Sequence, residues 1–465
     1  MSSDFQKVLV KDDRLHVSDS VKYAVLKGGQ NVTQSRFLAN SSGPSSIVFN
    51  VQVPSEQTLI DRRVLWRSKC TANVIATIPA GTAAGVPIFD YGRQAALAPF
   101  PLHSTTSTMT ATINNNSVTI NQQDCLPVIL RMLDREELAR CNGYCPNAYD
   151  TYKYYNDALD TPSNVLGGFT QSTDGLLYPR GSWVLESITL GAASVAPAQW
   201  TTNGSADQYT QAFTVVFKST EPLLLSPFIY ADPKSNNQAI YGIQNLNFQF
   251  NINTANSRVL RFAEPGGADI TYSTSISSFD ECELLFTFLT PHPSDLIPAR
   301  NVVPFYELPR YISNNFTVAT GNISTGTSFT AVSQSLQLNQ IPDKLIIFVR
   351  KRLSGQVPTD SDSFLPITGV QINWNNQSGI LSSAQTQELY AMSVENGYNG
   401  TWFEFSGRAN VPNSLLTSPT NTILTSVPPT IFLGLPRPFF LYFATPADIP
   451  APIVLSNPVS IWVPS

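Results

Sequence analysis

The sequence predicts an all-β chain built as two tandem domains of one type, and three observations carry that reading. Alternating strand patterns recur along the chain, as in Tyr241-Gly-Ile-Gln-Asn-Leu-Asn-Phe-Gln-Phe-Asn-Ile252 and Val370-Gln-Ile-Asn-Trp374. A layout of strand, Asn-rich corner, single helix and Asn-Gly stop occurs twice, 259 residues apart (113 to 372). A period that long excludes a solenoid and points to domain duplication. The 34 prolines fall mostly between apolar runs, where they separate strands instead of interrupting them.

Residues 1–45 are polar and broken by Gly28-Gly29 and by the stretch 40–45, so they read as an N-terminal arm with little core of its own. Two short apolar runs, 8–10 and 23–26, lie within it. Residues 46–53 alternate and open the first domain; 64–78 form the next strand, and 79–87 a Gly/Pro-rich loop. Residues 105–120 are Thr-rich and strand-like throughout, with a polar hinge at 121–124. A helix is expected from Cys125 to about Arg140, stopped by Asn142-Gly143. Residues 143–181 are rich in Tyr and Asn without core periodicity, and predict a solvent-side insertion. Strands return at 183–190 and 213–217.

The stretch 221–227, Glu-Pro-Leu-Leu-Leu-Ser-Pro, reads as the crossover into the second domain, matched near the end by 445–455. That domain is expected to open with the strand 241–252 and continue with 283–289, a Pro-rich corner at 291–309 and a long hairpin region at 314–340. Leu345-Ile-Ile-Phe-Val349 is a continuous apolar run of strand length, expected to be buried on both faces. After 370–374 and a 375–379 loop, a helix over 381–395 is predicted, with Ser382 and Ser383 as cap candidates and Asn396-Gly397 as its stop. The strand 439–443 completes the pattern. Two β domains of eight or so strands fit two tandem eight-stranded jelly rolls, each with a short helix insertion. The expected boundaries are 1–45 for the arm, 46–232 for the first roll and 233–465 for the second.

At 465 residues, two domains of about 200 can each bury a full core. Charged residues are only 13%, against about 25% in typical globular chains. That suits a surface largely covered by neighbouring subunits, since interface cores are depleted in charge. No apolar run is long enough to span a membrane. The first residues lack the apolar core of a signal peptide, and five cysteines (70, 125, 141, 145, 282) show no framework spacing, so reduced, intracellular synthesis is expected. A net charge of −5 argues against a dedicated nucleic-acid binder, although residues 1–70 carry ten Lys/Arg against six Asp/Glu.

Catalytic and metal chemistry finds no support. The three histidines, His16, His103 and His292, share no ligand spacing. Cys141 and Cys145 would need two further ligands to hold zinc. No nucleophile elbow, Walker loop or dinucleotide fingerprint occurs. Asp134, Glu136, Glu137, Asp360 and Asp362 read as solvated charges, and Trp183, Trp374 and Trp402 as packing anchors more than a sugar platform. No catalytic, cofactor-binding or metal residue is therefore assigned, and no enzyme activity is expected.

Several of these segments resemble the double-jelly-roll major capsid proteins of double-stranded DNA viruses, most of all the Polinton-like, adintovirus and virophage group. They are 241–248, 284–290 with its proline corner, 338–347, 364–381 and 389–393. The likeness is strongest over 220–405; the first domain matches in layout, and the insertion at 143–181 has no counterpart. The resemblance implies a homotrimer whose six rolls form a pseudo-hexagonal capsomer. Such capsomers would tile an icosahedral virion shell around the DNA genome, meeting neighbouring capsomers, penton and minor capsid proteins. Weak genome contact through the arm would follow from its basic surplus. The competing readings are a jelly-roll spike or penton protein, and a secreted carbohydrate-binding β-sandwich. A duplicated roll favours the shell protein over the first, and the absence of paired carboxylates and of a signal peptide disfavours the second.

Overall fold

The computed structural model describes residues 8–11, 23–26, 32–91, 95–98, 100–132, 185–228, 239–255, 258–262 and 269–290. Beyond these it describes 308–312, 330, 332–333, 335–338, 344–349, 355–358, 367, 369–374, 377–398, 402, 405, 407–409, 432–436, 439–442, 453–455 and 460–462. The described residues 8–126 and 185–290 form one compact unit, and 127–132 with 308–462 a second.

The first unit runs β1 (Val8–Lys11), β2 (Tyr23–Leu26), β3 (Val32–Leu38), β4 (Ser41–Ser42), β5 (Ser46–Gln52), β6 (Leu59–Ile60), β7 (Leu65–Ile78) and β8 (Ala95–Leu97). It continues with α1 (Pro101–Thr105), β9 (Thr106–Ile113), β10 (Asn116–Ile120), the start of α2 (Gln122–Met132, of which 127–132 fall in the second unit), β11 (Ser187–Ala193), β12 (Tyr209–Pro222), β13 (Asn245–Ile252), β14 (Leu260–Phe262) and β15 (Thr271–Leu289). One sheet has the order β10-β9-β13-β5-β4, and a second β11-β12-β7-β15-β3 with β6 also on β15. The antiparallel pairs are nested: β5 with β13, inside them β7 with β12, inside those β9 with β10. Nested pairing of this kind is a long hairpin rolled on itself, and it produces the two facing sheets of a jelly roll.

Period-2 patterning makes the core. Along β7 every second residue, Trp66 to Ile78, is buried, and β12 buries Tyr209, Phe213, Val215 and Phe217 in the same way. From the facing sheet come Phe49, Phe248 and Phe250. Trp66 and Phe250 meet across the sheets with ring centroids 4.9 Å apart, and Phe248 meets Phe286 at 6.2 Å. Each buried Phe contributes about 1.5–3 kcal/mol. β15 keeps its inward face through two register shifts, at Ile276/Ser278 and Asp280/Glu283. At the second, Glu281 takes a φ of +49°, and the bulge turns it to solvent while Phe279 and Cys282 stay buried.

Four sequence expectations change here. The boundary at 232/233 moves to 307/308 because β13 lies between β5 and β9, and β15 pairs along β7. The segment 221–227 is accordingly interior to the first unit and is not a crossover. Residues 32–45 belong to the roll: β3 pairs with β15 over seven residues, and Phe37 packs edge-on to Phe286 at 5.6 Å. The arm therefore ends before residue 32, and its two apolar runs pair with each other as β1 and β2. Residues 113–120 are not one strand; Asn114 (φ +47°) and Asn115 (φ +69°) turn β9 back into β10. Asn tolerates that left-handed backbone better than other side chains.

The second unit contains β16 (Arg310–Ile312), β17 (Lys344–Phe348), β18 (Ile372–Trp374), β19 (Gln377–Ile380), α3 (Thr386–Glu395), β20 (Gly407–Ala409), β21 (Phe432–Pro436), β22 (Phe439–Tyr442), β23 (Ile453–Leu455) and β24 (Ser460–Trp462). They form sheets β16-β24-β17-β22, β19-β18-β23 and β20-β21. The run 345–349 is buried along its whole length, as its apolar continuity requires. Residues 377–379 of the expected 375–379 loop belong, with Ile380, to the return strand of a β18–β19 hairpin. The helix starts at Thr386, not 381, because 379–384 form turns with Leu381 at φ +64°. Its cap is a Gln385–Glu388 capping box in place of Ser382 or Ser383. Asn396 and Gly397 close it as expected. Residues 133–184, and with them the end of the first helix and the insertion at 143–181, lie outside the described residues, as do most of 291–343.

Candidate assembly surface

No cleft chemistry organises the described residues; their ion pairs comprise one fully buried pair and several along the outer face of the larger sheet. His103 lies in α1, and Glu221 near the end of β12. Both are fully buried, with His103 Nδ1 2.7 Å from Glu221 Oε2. Glu221 also accepts hydrogen bonds from the N–H groups of Leu102 (2.8 Å) and His103 (3.1 Å) and from Ser219 Oγ (2.8 Å). The Leu224 N–H donates to His103 Nε2 at 3.2 Å, so the ring proton that meets the carboxylate is on Nδ1. One carboxylate thus satisfies the first turn of α1 and locks the corner at 222–225. Removing either partner would strand the other in the core, at a cost of about 3–5 kcal/mol. It is a structural clamp with no opening to a substrate.

On the solvent side of β7, β12 and β15, charges pair across strands. Lys69 meets Glu186 at 2.6 Å, Lys218 bonds Glu281, and Arg36 and Arg67 flank Glu283 at 3.3 and 3.5 Å. The hydrogen bond that Lys69 donates to Glu186 raises the pKa of Lys69, and the one that Glu281 accepts from Lys218 lowers the pKa of Glu281. Between them the surface is threonine, asparagine and serine, with Ile75 half exposed. At the sheet's edge, Val32 and Leu38 of β3 are 40% and 67% exposed. Low charge, cross-strand pairing and apolar side chains in solvent suit a face that other protein covers.

Of the residues weighed from sequence, His103 is clamped as described. Cys70, Cys125 and Cys282 are buried, Cys70 and Cys282 as free thiols. Burial pushes the Cys70 thiol well up and that of Cys282 to about 11, the latter moderated by Ser68 Oγ at 2.9 Å. Trp374 ends β18, and Trp402 packs on Tyr390 at 5.4 Å and Phe405 at 6.3 Å. His16, His292, Cys141, Cys145, Asp134, Glu136, Glu137, Asp360, Asp362 and Trp183 lie outside the described residues. Among the described residues no group of three or more His, Cys, Asp or Glu could hold a metal, and no helix is long and apolar enough to cross a membrane. Sequence reading missed the His103–Glu221 clamp, whose signal was the one charged residue on the inward face of β12.

Two family models match the chain in tandem. Residues 3–289 match the Sputnik virophage major capsid protein 1st domain, and residues 308–437 the major capsid protein V20 C-terminal domain. The chain belongs to the virophage major capsid protein family. The two matches meet between 289 and 308, where the sheets also divide. This capsid protein is 31% identical over 429 residues to capsid protein V20 of Sputnik virophage, covering 89% of this chain and 67% of that one. Its fold is similar to a chain of the cryo-EM structure of the Sputnik virophage, with a TM-score of 0.70 and 24% identity over 100% of this chain and 90% of that one. It is also similar to the mavirus major capsid protein, with a TM-score of 0.62 and 15% identity over 96% and 86%. The all-β double jelly roll expected from sequence is thereby established, and the place of the capsid protein is the virion shell.

Proposed function

We propose that this capsid protein acts as a homotrimer, a pseudo-hexagonal capsomer of six jelly rolls that tiles an icosahedral shell around a DNA genome. Family membership together with two tandem rolls in one chain is the observation that supports it. Cyclic symmetry gives heterologous contacts that close at three, and apolar burial at those contacts drives assembly. The sparsely charged, internally paired outer face of the larger sheet supports a role as a covered surface. The role is structural, without catalysis. Its partners are neighbouring capsomers, with penton and minor capsid proteins at the vertices and seams. Arg36, Arg67 and Lys69 are committed to carboxylates, so a weak genome contact would rest on the basic residues that precede β3.

Obligate interfaces typically exceed about 2,000 Å², so the trimer should persist at micromolar concentration. Light scattering of the purified full chain should give three chain masses, and micrographs should show hexagonal blocks. A stable, well-folded monomer under those conditions would overturn the proposal.

A further inference from the structure

The larger sheet ends in an edge that lacks the usual protection. β3 pairs with β15 alone, and among the described residues its other side carries no strand. Exposed edges are normally blunted by shortness, lysine, proline or a bulge. The opposite edge of the same sheet, β11, is broken by a bulge between Leu190 and Ala193, and β4 at the end of the other sheet is two residues long. β3 has seven residues, Val-Thr-Gln-Ser-Arg-Phe-Leu, in unbroken register with β15. It contains neither lysine nor proline, and its one charge, Arg36, is paired with Glu283 of its own sheet. Val32 and Leu38 expose apolar side chains at its two ends.

Immediately upstream lies a hairpin with the complementary deficiency. β1 and β2 pair with each other, Val8 with Leu26 through Lys11 with Tyr23, and among the described residues with no other strand. Seven of the eight residues are aliphatic or aromatic. A two-stranded sheet is at best marginally stable by itself and needs a third strand or a packing surface. Five residues, Lys27-Gly-Gly-Gln-Asn31, separate β2 from β3 in the sequence, and a stretch of that length spans at most roughly 20 Å. The hairpin lies inside the stretch that matches the capsid family domain, which begins at residue 3.

We propose that the free edge of β3 receives the β1–β2 hairpin of a second copy of this chain, extending the larger sheet across the subunit boundary. Main-chain hydrogen bonds supply the attachment, and Val32 and Leu38 become covered. Each copy carries both the donor hairpin and the acceptor edge, so the contact propagates from copy to copy in a closed ring or across a shell. It presupposes that the chain assembles, as proposed above, but the trimer requires no such exchange.

The test uses the full chain with a photo-crosslinking residue at the exposed Gln34, assembled from an equal mixture of isotope-labelled and unlabelled copies. Crosslinked peptides joining residue 34 to residues 8–26 should be mixed-isotope in about half of cases, the random-pairing limit. Same-isotope peptides only would mean that the hairpin folds back on its own β3, and would overturn the proposal. So would the absence of such crosslinks in assembled particles. As a second arm, Val32→Lys with Leu38→Lys adds edge charges at exposed positions. It should abolish the mixed crosslink and leave the melting temperature of the isolated capsomer unchanged. Retention of the crosslink in that variant would also overturn it. Loss of exchange with an intact trimer mass would leave the proposed function standing, so the two fail separately.

Discussion

Buried thiols and rings show how single residues report the fold. Cys282 has its thiol raised to about 11 by burial, and burial in the same core also pushes the Cys70 thiol well up. At pH 8 roughly one Cys282 in a thousand is then thiolate, so alkylation of both residues should be very slow in the native chain and fast in denaturant. Peptide mapping after iodoacetamide treatment checks this; rapid native labelling of Cys70 or Cys282 would contradict their placement. Phe348 lies in the apolar run 345–349 that the sequence marks as a buried strand, and it is 1% exposed. Phe348→Ala should cost about 3–5 kcal/mol in a denaturant melt. A loss below about 1 kcal/mol would mean that the strand is peripheral. These residues were legible because burial follows from apolarity alone. The His103–Glu221 clamp was not, since its partners are 118 residues apart and neither lies in a motif.

At the scale of elements, the structure sharpens the duplication seen in the sequence. An Asn-Asn pair precedes a helix twice in the chain: Asn114-Asn115 turn β9 into β10 ahead of α2, and Asn375-Asn376 lie in sequence between the paired strands β18 and β19 ahead of α3. Aligned on those pairs the offset is 261 (114 to 375), not 259, and Ile113-Asn-Asn-Asn-Ser then faces Trp374-Asn-Asn-Gln-Ser. Sequence polarity points to residues 121–124 as the corner, because polarity alone does not separate a two-residue turn from a helix start. What distinguishes them is the backbone sign at Asn114 and Asn115, which no periodicity reveals. Asn114 also uses its whole amide: Nδ2 donates to the Gly242 carbonyl at 2.6 Å, and Oδ1 accepts from the N–H groups of Gln244 and Asn245 at 2.7 and 3.2 Å. Asn114→Ala loses those bonds and adds left-handed strain, so a destabilisation of about 1–3 kcal/mol is expected. An unchanged urea midpoint would show that the turn does not hold β13 beside β9.

At the scale of the whole molecule, strand periods were legible and strand partners were not. The segment 245–289 reads as a new domain because a Pro-flanked crossover precedes it, yet its two long strands complete the first roll. Local pattern determines which face of a strand is apolar; it does not determine which distant strand that face will meet. The difference can be measured by truncation. A chain ending at residue 307 retains every described strand of the first unit and should melt cooperatively. A chain ending at 232 lacks β13 and β15, leaving β5, β7 and β9 without partners they have in the full chain. It also loses Phe248, Phe250, Phe286 and Phe288, all buried against the remaining core. At about 1.5–3 kcal/mol each, those four side chains alone approach the 5–15 kcal/mol that stabilises a typical domain. The shorter chain should therefore be aggregated or unfolded, with no cooperative transition by circular dichroism or calorimetry. A soluble, cooperatively melting 1–232 fragment would restore the boundary read from sequence and would mean that β13 and β15 are added to a roll already complete without them.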